Sequence, residues 1–488
     1  MKLRPGTALL FFVALALLLR WGTSFISVIN HDESTYIVIA QEMINGKVYL
    51  RDVIDTKPIG VFWLYAGIIK LTGGAIPAIR LATHLFVAVT AWGLFLAGRR
   101  ATGNDRVGLA AGTGYLFATA LYTYYGLAPN SELFFNCFTV LALAIGIAPR
   151  VLAPKEEPDA PIWHWPVMGL LLGAAVTIKP FAAAESLAVG LFCLWYYWWC
   201  RRETLRGLLG AGALVAGFLV PLLVVYTYYV RQDMVAELLH YTFTVNSKYP
   251  VELAWYLRLK YFGDYLLRYA PLVLLAGAAL VAAYRRGSNR TWTYFLLGYF
   301  TIVTIMILSP GKRFGHYQIQ LHPGLTLLAA AFFDPRAGVW DGLRRWLSRR
   351  VVVYGLVALA AVLGVVHYVR YEKKTDRPAM IADYFRDKLR PGEQYFCITI
   401  HQISYYLLGR EVPTRFVHTS LMFYDHHVRA FQLDELAEAE RLLANPNLRY
   451  LVRQPADASF TTPLSERLLE EFSLVDSLNA GLYVYRRN

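Results

Sequence analysis

Long apolar runs alternate with short polar segments from residue 6 to residue 369 of this 488-residue chain. A bilayer core is crossed by a helix of roughly 20 apolar residues. The pattern therefore predicts a polytopic α-helical membrane protein with about 11 transmembrane helices, some of them short. The predicted spans are 6–29, 75–98, 107–125, 131–149, 165–180, 181–199, 207–230, 270–284, 291–309, 317–333 and 351–369.

Two polar stretches between the spans are too long to be simple turns. They cover 30–74 and 231–269, and both mix aromatic and charged residues at roughly helical spacing. Helices that lie in a membrane interface have this composition. An ordinary structured loop is the alternative interpretation of each stretch.

The chain changes character at about residue 371, where charged residues become frequent. We therefore expect a transmembrane domain over 1–370 and a soluble α/β domain over 371–488, because short strand-like runs alternate there with helical patterns. The predicted strands are Tyr395–Ile400, Arg415–Thr419, Tyr450–Val452 and Tyr483–Tyr485, and the predicted helices are Leu433–Leu443 and Leu464–Phe472.

The charge pattern indicates membrane topology rather than a nucleic-acid partner. The net charge is +14, but arginine pairs follow the second, sixth, eighth and tenth spans, on the same side as Lys2 and Arg4. The positive-inside rule places that side in the cytoplasm. With an odd number of spans, the long loops and the C-terminal domain then lie on the outer face. We predict a multi-pass protein of the inner (plasma) membrane whose active site faces the periplasm or outside, with no nucleic-acid partner.

Composition excludes several other classes. Hydrophobic residues make up 56% of the chain and charged residues only 17%, which is too little charge for a soluble protein of this size. The 4 cysteines show no spacing typical of zinc sites. We predict no metal site and no cofactor.

The first outer loop holds the first candidate residues for chemistry. Asp32 and Glu33 follow directly on the first span, and carboxylates at a bilayer surface are functional suspects because they lose hydration unless paired. A compatible alternative is that Asp32 caps a helix over 33–44. Lys57 precedes Pro58 and a short apolar stretch; it either snorkels to the interface or holds an anion at headgroup depth.

Three further charged residues lie in or beside apolar runs. Glu132 opens a span on the outer face, where it either caps that helix favourably or faces the same cavity as Asp32. Lys179 and Glu185 lie in a hydrophobic hairpin, and a buried ion pair between them is the structural interpretation.

A polar cluster precedes the tenth span. Lys312 and Arg313 are followed by His316 and Tyr317. The positive-inside rule disfavours cations on the outer face, so we expect an anion to be their ligand.

Taken in order, Asp32-Glu33, Lys57-Pro58 and His316-Tyr317 followed by Pro323 resemble the glycosyltransferase C superfold. The resemblance covers roughly residues 1–370. It is strongest to the polyprenyl-phosphate-sugar transferases related to protein O-mannosyltransferases and to the lipid A aminoarabinose transferase. Some members have a doubled proline after the lysine, where this chain has Pro58-Ile59.

The resemblance implies a function and roles for these residues. The donor is a polyprenyl-phosphate-linked sugar, Asp32 is the catalytic base with Glu33 in support, and Glu132 matches a second acidic residue near the fourth span. Lys57 contacts the donor phosphate. Because a lipid phosphate leaves as a stable anion, it needs cations rather than a strong acid, and the residues we expect to bind it with Lys57 are Lys312, Arg313, His316 and Tyr317.

The predicted reaction transfers the sugar to a hydroxyl group of an acceptor protein, lipid or glycan. A single displacement inverts the anomeric configuration. The alternative function is a transporter or flippase of polyprenyl-linked glycans. Transporters typically have broken helices at the membrane midplane, whereas this chain concentrates its polar residues at one membrane face.

Overall fold

The structure is a computed structural model that describes residues 3–121, 124–152, 160–245, 247–248, 253–287, 289–312, 315–338, 340–454, 460–479 and 481–488. The chain divides into two compact units. The first, here the membrane unit, comprises Met1–Ser24, Arg80–Thr227 and Val251–Arg370. The second, here the mixed unit, comprises Phe25–Ile79, Tyr228–Pro250 and Tyr371–Asn488.

Apolar helices build the membrane unit, and three of them run on into residues of the mixed unit at one end. The α-helices are Pro5–Arg20, Ile76–Thr102, Asp105–Ala118, Ser131–Ala142, Ala148–Leu152, His164–Ile178, Ala183–Leu194, Thr204–Arg231, Trp255–Arg268, Ala270–Arg286, Arg290–Leu308, His322–Ala330, Asp341–Leu347 and Arg350–Glu372.

Within the described residues, 7 continuous helical segments are long and apolar enough to cross a membrane. An eighth is formed if Trp255–Arg268 and Ala270–Arg286, bent by 90° at their junction, make one span. The other predicted spans fall on the shorter helices Asp105–Ala118, His164–Ile178 and His322–Ala330. The multi-pass helical architecture is confirmed, and the count of eleven stays a prediction. The 7 segments are Pro5–Phe25, Ile76–Thr102, Ser131–Val151, Pro180–Arg201, Thr204–Arg231, Arg290–Leu308 and Arg350–Glu372.

Glycines let the first and last spans of the membrane unit approach closely. A Cβ atom on Gly22 would overlap the backbone nitrogen of Tyr368, and one on Gly364 would overlap the carbonyl oxygen of Leu18. Small residues at helix crossings are how membrane helices gain packing where no hydrophobic driving force exists between them. The Trp21 ring stacks on Tyr368 beside the crossing, with ring centroids 5.1 Å apart.

The mixed unit combines short helices with one four-stranded sheet. The strands are β1 (Gln394–Ile398), β2 (Leu448–Arg453), β3 (Phe472–Leu478) and β4 (Leu482–Arg487), in the order β1-β2-β4-β3. Strands β1 and β2 are parallel, and the other two pairs are antiparallel. The α-helices are His31–Ile44, Ile59–Thr72, Val235–Leu239, Arg377–Arg386, Ile403–Leu408, Ser420–Phe423, Asp425–Phe431, Glu435–Leu443 and Pro463–Glu470.

Three of the four predicted strands are confirmed as β1, β2 and β4. The prediction of a strand at Arg415–Thr419 is wrong: among the residues that the structure describes, this segment makes one isolated bridge, in which Phe416 pairs with Ile54 of the first loop. Strand β3 was not predicted because only Phe472 among its residues is buried. An edge strand with a mostly exposed surface lacks the alternation that marks a strand in a sequence.

Candidate active site

A reciprocal cap opens the helix His31–Ile44 in the mixed unit. The Asn30 side chain accepts a hydrogen bond from the Glu33 backbone N–H (3.0 Å), and the Glu33 carboxylate accepts one from the Ile29 N–H (2.9 Å). The first bond is that of a helix N-cap, and the second ties the Glu33 carboxylate to the backbone of the residue before the cap. The prediction that Asp32 caps a helix over 33–44 is therefore wrong, because the preceding asparagine already satisfies the helix start. Glu33 is fully buried and has a structural partner.

Asp32 lies one residue after the helix begins and pairs with the predicted lysine. Its Oδ1 is 3.3 Å from Lys57 Nζ, and the two side chains are 17% and 21% exposed. Lys57 Nζ also lies 3.8 Å from Oδ2 of Asp55, a buried carboxylate. A cation is thus held near two carboxylates, one of which lies in the first turn of a helix.

Tyr49 fixes the backbone that carries Lys57. Its buried hydroxyl lies 2.9 Å from the carbonyl oxygen of Asp55 and 2.5 Å from that of Lys57. Pro58 then sets the extended conformation from which the helix Ile59–Thr72 begins. The aromatic ring of Tyr36 lies 5.9 Å from the lysine ammonium. These contacts hold the ammonium in place before any ligand binds.

The C-terminal segment of the mixed unit adds residues that sequence reasoning missed. Gln402 donates hydrogen bonds to Thr35 Oγ1 (2.9 Å) and to the carbonyl oxygen of His31 (3.3 Å), at the first turn of the Asp32 helix. Burial lowers the pKa of His418, while the charges of Asp55 and Asp32 act to raise it. His418 thus belongs to the electrostatic environment of the Asp32–Lys57 pair. No motif links these positions to the first loop, so only the fold identifies them.

A second polar cluster lies in the membrane unit. Glu132 and Lys179 form a buried ion pair. The Lys179 ammonium also sits 4.0 Å from the centroid of the Tyr317 ring, which is a cation–π contact in a desolvated site. The Phe181 ring completes the cluster, with its centroid 5.0 Å from that of Tyr317. The structure therefore brings two of the predicted site residues, Glu132 and Tyr317, together through Lys179.

The pairing of Lys179 with Glu185 is wrong. The Glu185 carboxylate instead accepts hydrogen bonds from the Gln320 amide, at 3.0 and 2.9 Å. Lys179 is the extended residue between two helical segments, so its ammonium is free to reach back to Glu132 on another helix. Two buried charged residues that are close in sequence need not pair with each other, because the fold brings other polar side chains close to each of them.

The remaining predicted residues lie at the segment before His322. His316 is the second residue of the 3₁₀ segment Gly315–Leu321. Its side chain is buried, and its ring centroid lies 5.7 Å from that of Tyr125. Lys312 is also buried, and Arg313 lies outside the described residues. Within the part of the chain that the structure describes, no group of three or more His, Cys, Asp or Glu side chains has the geometry of a metal site.

Comparisons with known proteins agree with this fold. The model of the dolichyl-phosphate-mannose-protein mannosyltransferase family matches residues 56–228. The chain is 25% identical over 343 residues to undecaprenyl phosphate-alpha-4-amino-4-deoxy-L-arabinose arabinosyl transferase 1 of Pseudomonas fluorescens (strain Pf0-1). That match covers 67% of this chain and 58% of the relative, so it spans less than two thirds of the relative's length.

Two of the solved structures that match cover nearly the whole chain. ArnT from Cupriavidus metallidurans, solved with undecaprenyl phosphate, superposes with a TM-score of 0.67 at 14% identity, over 98% of this chain and 97% of ArnT. The Archaeoglobus fulgidus oligosaccharyltransferase superposes with a TM-score of 0.55 at 12% identity, over 99% of this chain and 74% of that one.

The fold and its matches define the class: this is an integral membrane protein with the glycosyltransferase C fold, and that prediction is confirmed. Within the class, the resemblance to the polyprenyl-phosphate-sugar transferases is also confirmed, since the sequence matches are to a mannosyltransferase family and an aminoarabinose transferase.

Proposed function

We propose that this chain is a membrane glycosyltransferase that moves a sugar from a polyprenyl-phosphate-linked donor to a hydroxyl group of an acceptor. The observation that carries the proposal is the Asp32–Lys57 pair, at 3.3 Å, at the start of a helix. Lys57 falls inside the segment that matches the mannosyltransferase family. The relative from Pseudomonas fluorescens is named for an undecaprenyl phosphate-linked donor, which supports the same donor class here.

The pair suits the two chemical needs of this transfer. Lys57 supplies a positive charge to the donor phosphate, whose negative charge grows as the bond to the sugar breaks. Asp32 accepts the proton of the acceptor hydroxyl as its oxygen attacks the anomeric carbon. The polyprenyl phosphate leaves as a stable anion and needs no strong acid. One displacement inverts the configuration at the anomeric carbon.

The other predicted site residues have more limited proposed roles. Glu33 accepts a hydrogen bond from the Ile29 N–H at the helix start, and its support of Asp32 in catalysis stays a prediction. Glu132 is paired with Lys179, so we assign it a positioning role toward the Tyr317 ring. Binding of the donor phosphate by Lys312, Arg313 and His316 stays a prediction.

We place the protein in the inner (plasma) membrane with its active site on the outer face. Support comes from the arginine pairs at the predicted cytoplasmic ends of the spans, for example Arg99-Arg100 and Arg285-Arg286. The division into a transmembrane domain over 1–370 and an outer-face soluble domain over 371–488 belongs to the same proposal.

The donor class is tested with the purified full-length protein in lipid nanodiscs. A radiolabelled polyprenyl-phosphate sugar pool and a nucleotide-sugar pool are each supplied with an extract of envelope glycolipids and glycoproteins as acceptor. We expect label to move only from the lipid-phosphate donors. Transfer from nucleotide sugars alone would refute the proposal, and reconstituted flipping of a polyprenyl-linked glycan without transfer would favour the transporter.

A further inference from the structure

An open cavity of about 550 Å³ lies within the mixed unit, formed by residues other than the Asp32–Lys57 pair. Its charged lining comes from Arg51, Asp52, Arg415, Glu438 and Arg441. Three guanidinium groups around one cavity are unusual unless carboxylates or a ligand balance them, because like charges repel. The arrangement of their partners shows which positive charge is left for a ligand.

Glu438 anchors one wall of the cavity. Its carboxylate is 6% exposed and accepts hydrogen bonds from Thr414 Oγ1 (3.0 Å) and from Nε and Nη2 of Arg441 (2.8 and 2.5 Å). The bidentate contact fixes the guanidinium plane. No residue that the structure describes accepts a hydrogen bond from Nη1 of Arg441, so this nitrogen keeps its donors for a ligand.

Arg415 brings a positive charge that is not balanced by a carboxylate. Within the described ranges its guanidinium forms no salt bridge; it lies 4.9 Å from the centroid of the Phe416 ring. The Arg415 carbonyl accepts a hydrogen bond from the Ile54 N–H at 2.7 Å. That bond ties this segment to the first loop, so the backbone under the exposed guanidinium is fixed on one side of the cavity.

The cavity lining also includes a third guanidinium, which is paired with an acceptor. Arg51 donates to both oxygens of Asp52 at 3.1 Å, and Asp52 Oδ2 also accepts from the Val48 N–H at 2.7 Å. Two carboxylates against three guanidinium groups leave one net positive charge. Val412 and Pro413 add an apolar surface to the lining.

These features together select a ligand class. Guanidinium groups bind phosphate and carboxylate groups in a bidentate fork, carboxylates accept hydrogen bonds from hydroxyl groups, and an apolar surface packs against the C–H face of a sugar ring. We propose that this cavity binds a sugar that carries an anionic group, as part of the acceptor. The acceptor role rests on the proposed function, whereas binding itself does not.

Binding is measured by calorimetry on the full-length protein in nanodiscs, made as the Asp32→Asn variant so that turnover cannot consume a ligand. The probes are glucose 6-phosphate, glucuronate and glucose, with inorganic phosphate as a separate arm. We expect both anionic sugars to bind at least about tenfold more tightly than glucose, which is about 1.4 kcal/mol, and more tightly than inorganic phosphate. Binding should weaken as salt is raised.

Variants locate the site. Arg415→Gln and Arg441→Gln should each weaken binding of the anionic sugars about tenfold or more. Arg386→Gln is the matched control, since Arg386 is also paired with an acid three residues earlier but is exposed outside the cavity. Arg441→Lys, which keeps the charge without the fork, checks against loss through misfolding and should bind with intermediate affinity.

Three results would overturn the proposal: equal affinity for glucose and the anionic sugars, unchanged affinity in both arginine variants, or an equal loss in Arg386→Gln. Tighter binding of inorganic phosphate than of either sugar would also overturn it, by showing an anion site without sugar recognition. A protein that binds anionic sugars but transfers nothing from lipid-phosphate donors would separate failure of the proposed function from failure of this inference.

Discussion

Lys57 is the residue whose environment says most about the chemistry. Its ammonium lies 3.3 Å from Asp32 and 3.8 Å from Asp55, on a backbone fixed by Tyr49. A lysine that only snorkelled to the interface would need no such support. An anionic ligand that replaced one carboxylate partner would find a cation already positioned, so little ordering cost remains at binding.

Replacing Lys57 should impair use of the donor. We expect Lys57→Gln to lower kcat/KM for the polyprenyl-phosphate donor by about 10- to 100-fold, because one charge-assisted contact to the phosphate is lost. Lys57→Arg should recover part of this. Lys70→Gln, an exposed lysine in the following helix, is the control, and a similar loss in both glutamine variants would contradict a specific role.

Removing the Tyr49 hydroxyl tests the support beneath Lys57. Tyr49→Phe leaves two carbonyl groups without their shared donor, so we expect a loss of about 1–3 kcal/mol in the free energy of unfolding and a raised KM for the donor. Thermal unfolding and donor titration measure both. Unchanged stability and KM would show that the loop is held by other contacts.

Sequence reasoning found Asp32 and Lys57 because each adjoins an apolar run, where a charge is conspicuous. It did not find Gln402 or His418, since a hydrogen bond between the first loop and the C-terminal segment leaves no local pattern. It offered Asp32 as a helix cap in one of two compatible interpretations, although Asn30 is one residue before the helix and has a side chain that caps well. A charged residue beside an apolar run can therefore be recognised from the sequence, whereas its distant hydrogen-bond partners cannot.

At the scale of elements, the Glu132–Lys179 pair joins the start of one membrane helix to the break between two others. Buried ion pairs contribute modestly to stability as pairs, but removal of one partner leaves an uncompensated charge. The pair therefore links these helices mainly because losing one partner would leave a buried, unpaired charge, and less because of the net attraction between the two side chains.

A double-mutant cycle measures this tether. Glu132→Gln and Lys179→Met should each destabilise the protein by about 3–5 kcal/mol, and the double variant by clearly less than the sum. Chemical unfolding in mixed micelles gives the free energies. Additive effects would show that the two side chains are not coupled. If Glu132 has a positioning role, the double variant should also retain measurable transfer.

The prediction of helices and strands succeeded for elements that bury either one face or most of their side chains. The apolar runs gave the long helices, and β1, β2 and β4 carry buried hydrophobic residues. The segment Arg415–Thr419 resembles a strand in composition, but in the described part of the chain it forms one isolated bridge, to Ile54 in the first loop. The short helix Asp105–Ala118 is 14 residues long, which illustrates why length alone did not settle the span count.

At the scale of the whole molecule, the mixed unit gathers three separate stretches of chain, and its stability should depend on pH. Burial lowers the pKa of His401 to about 4 and that of His427 to about 3, from the ordinary histidine value of 6.5. The charge of Arg377 also lowers the pKa of His401, whereas the charge of Asp376 raises it. The pKa of His427 is lowered further by His426, His418 and Lys57. Between about pH 6.5 and these folded-state pKa values, the folded state thus binds fewer protons than the unfolded chain.

Because the unfolded chain binds more protons, stability falls as the pH drops from about 6.5 toward the folded-state pKa values. We expect the thermal unfolding midpoint of the mixed unit to decrease between pH 7.5 and pH 5. The double variant His401→Asn, His427→Asn should show a flatter dependence over the same range. An unchanged slope would show that other groups govern the acid sensitivity.

The central claim is that Asp32 is the base in sugar transfer, and single-turnover transfer from a polyprenyl-phosphate sugar tests it most directly. Wild type, Asp32→Asn and the exposed-surface control Asp383→Asn are compared in nanodiscs at equal amounts of folded protein. We predict that Asp32→Asn lowers the rate by at least about 100-fold, while donor still binds and Asp383→Asn matches wild type. Transfer by Asp32→Asn at the wild-type rate would contradict the claim.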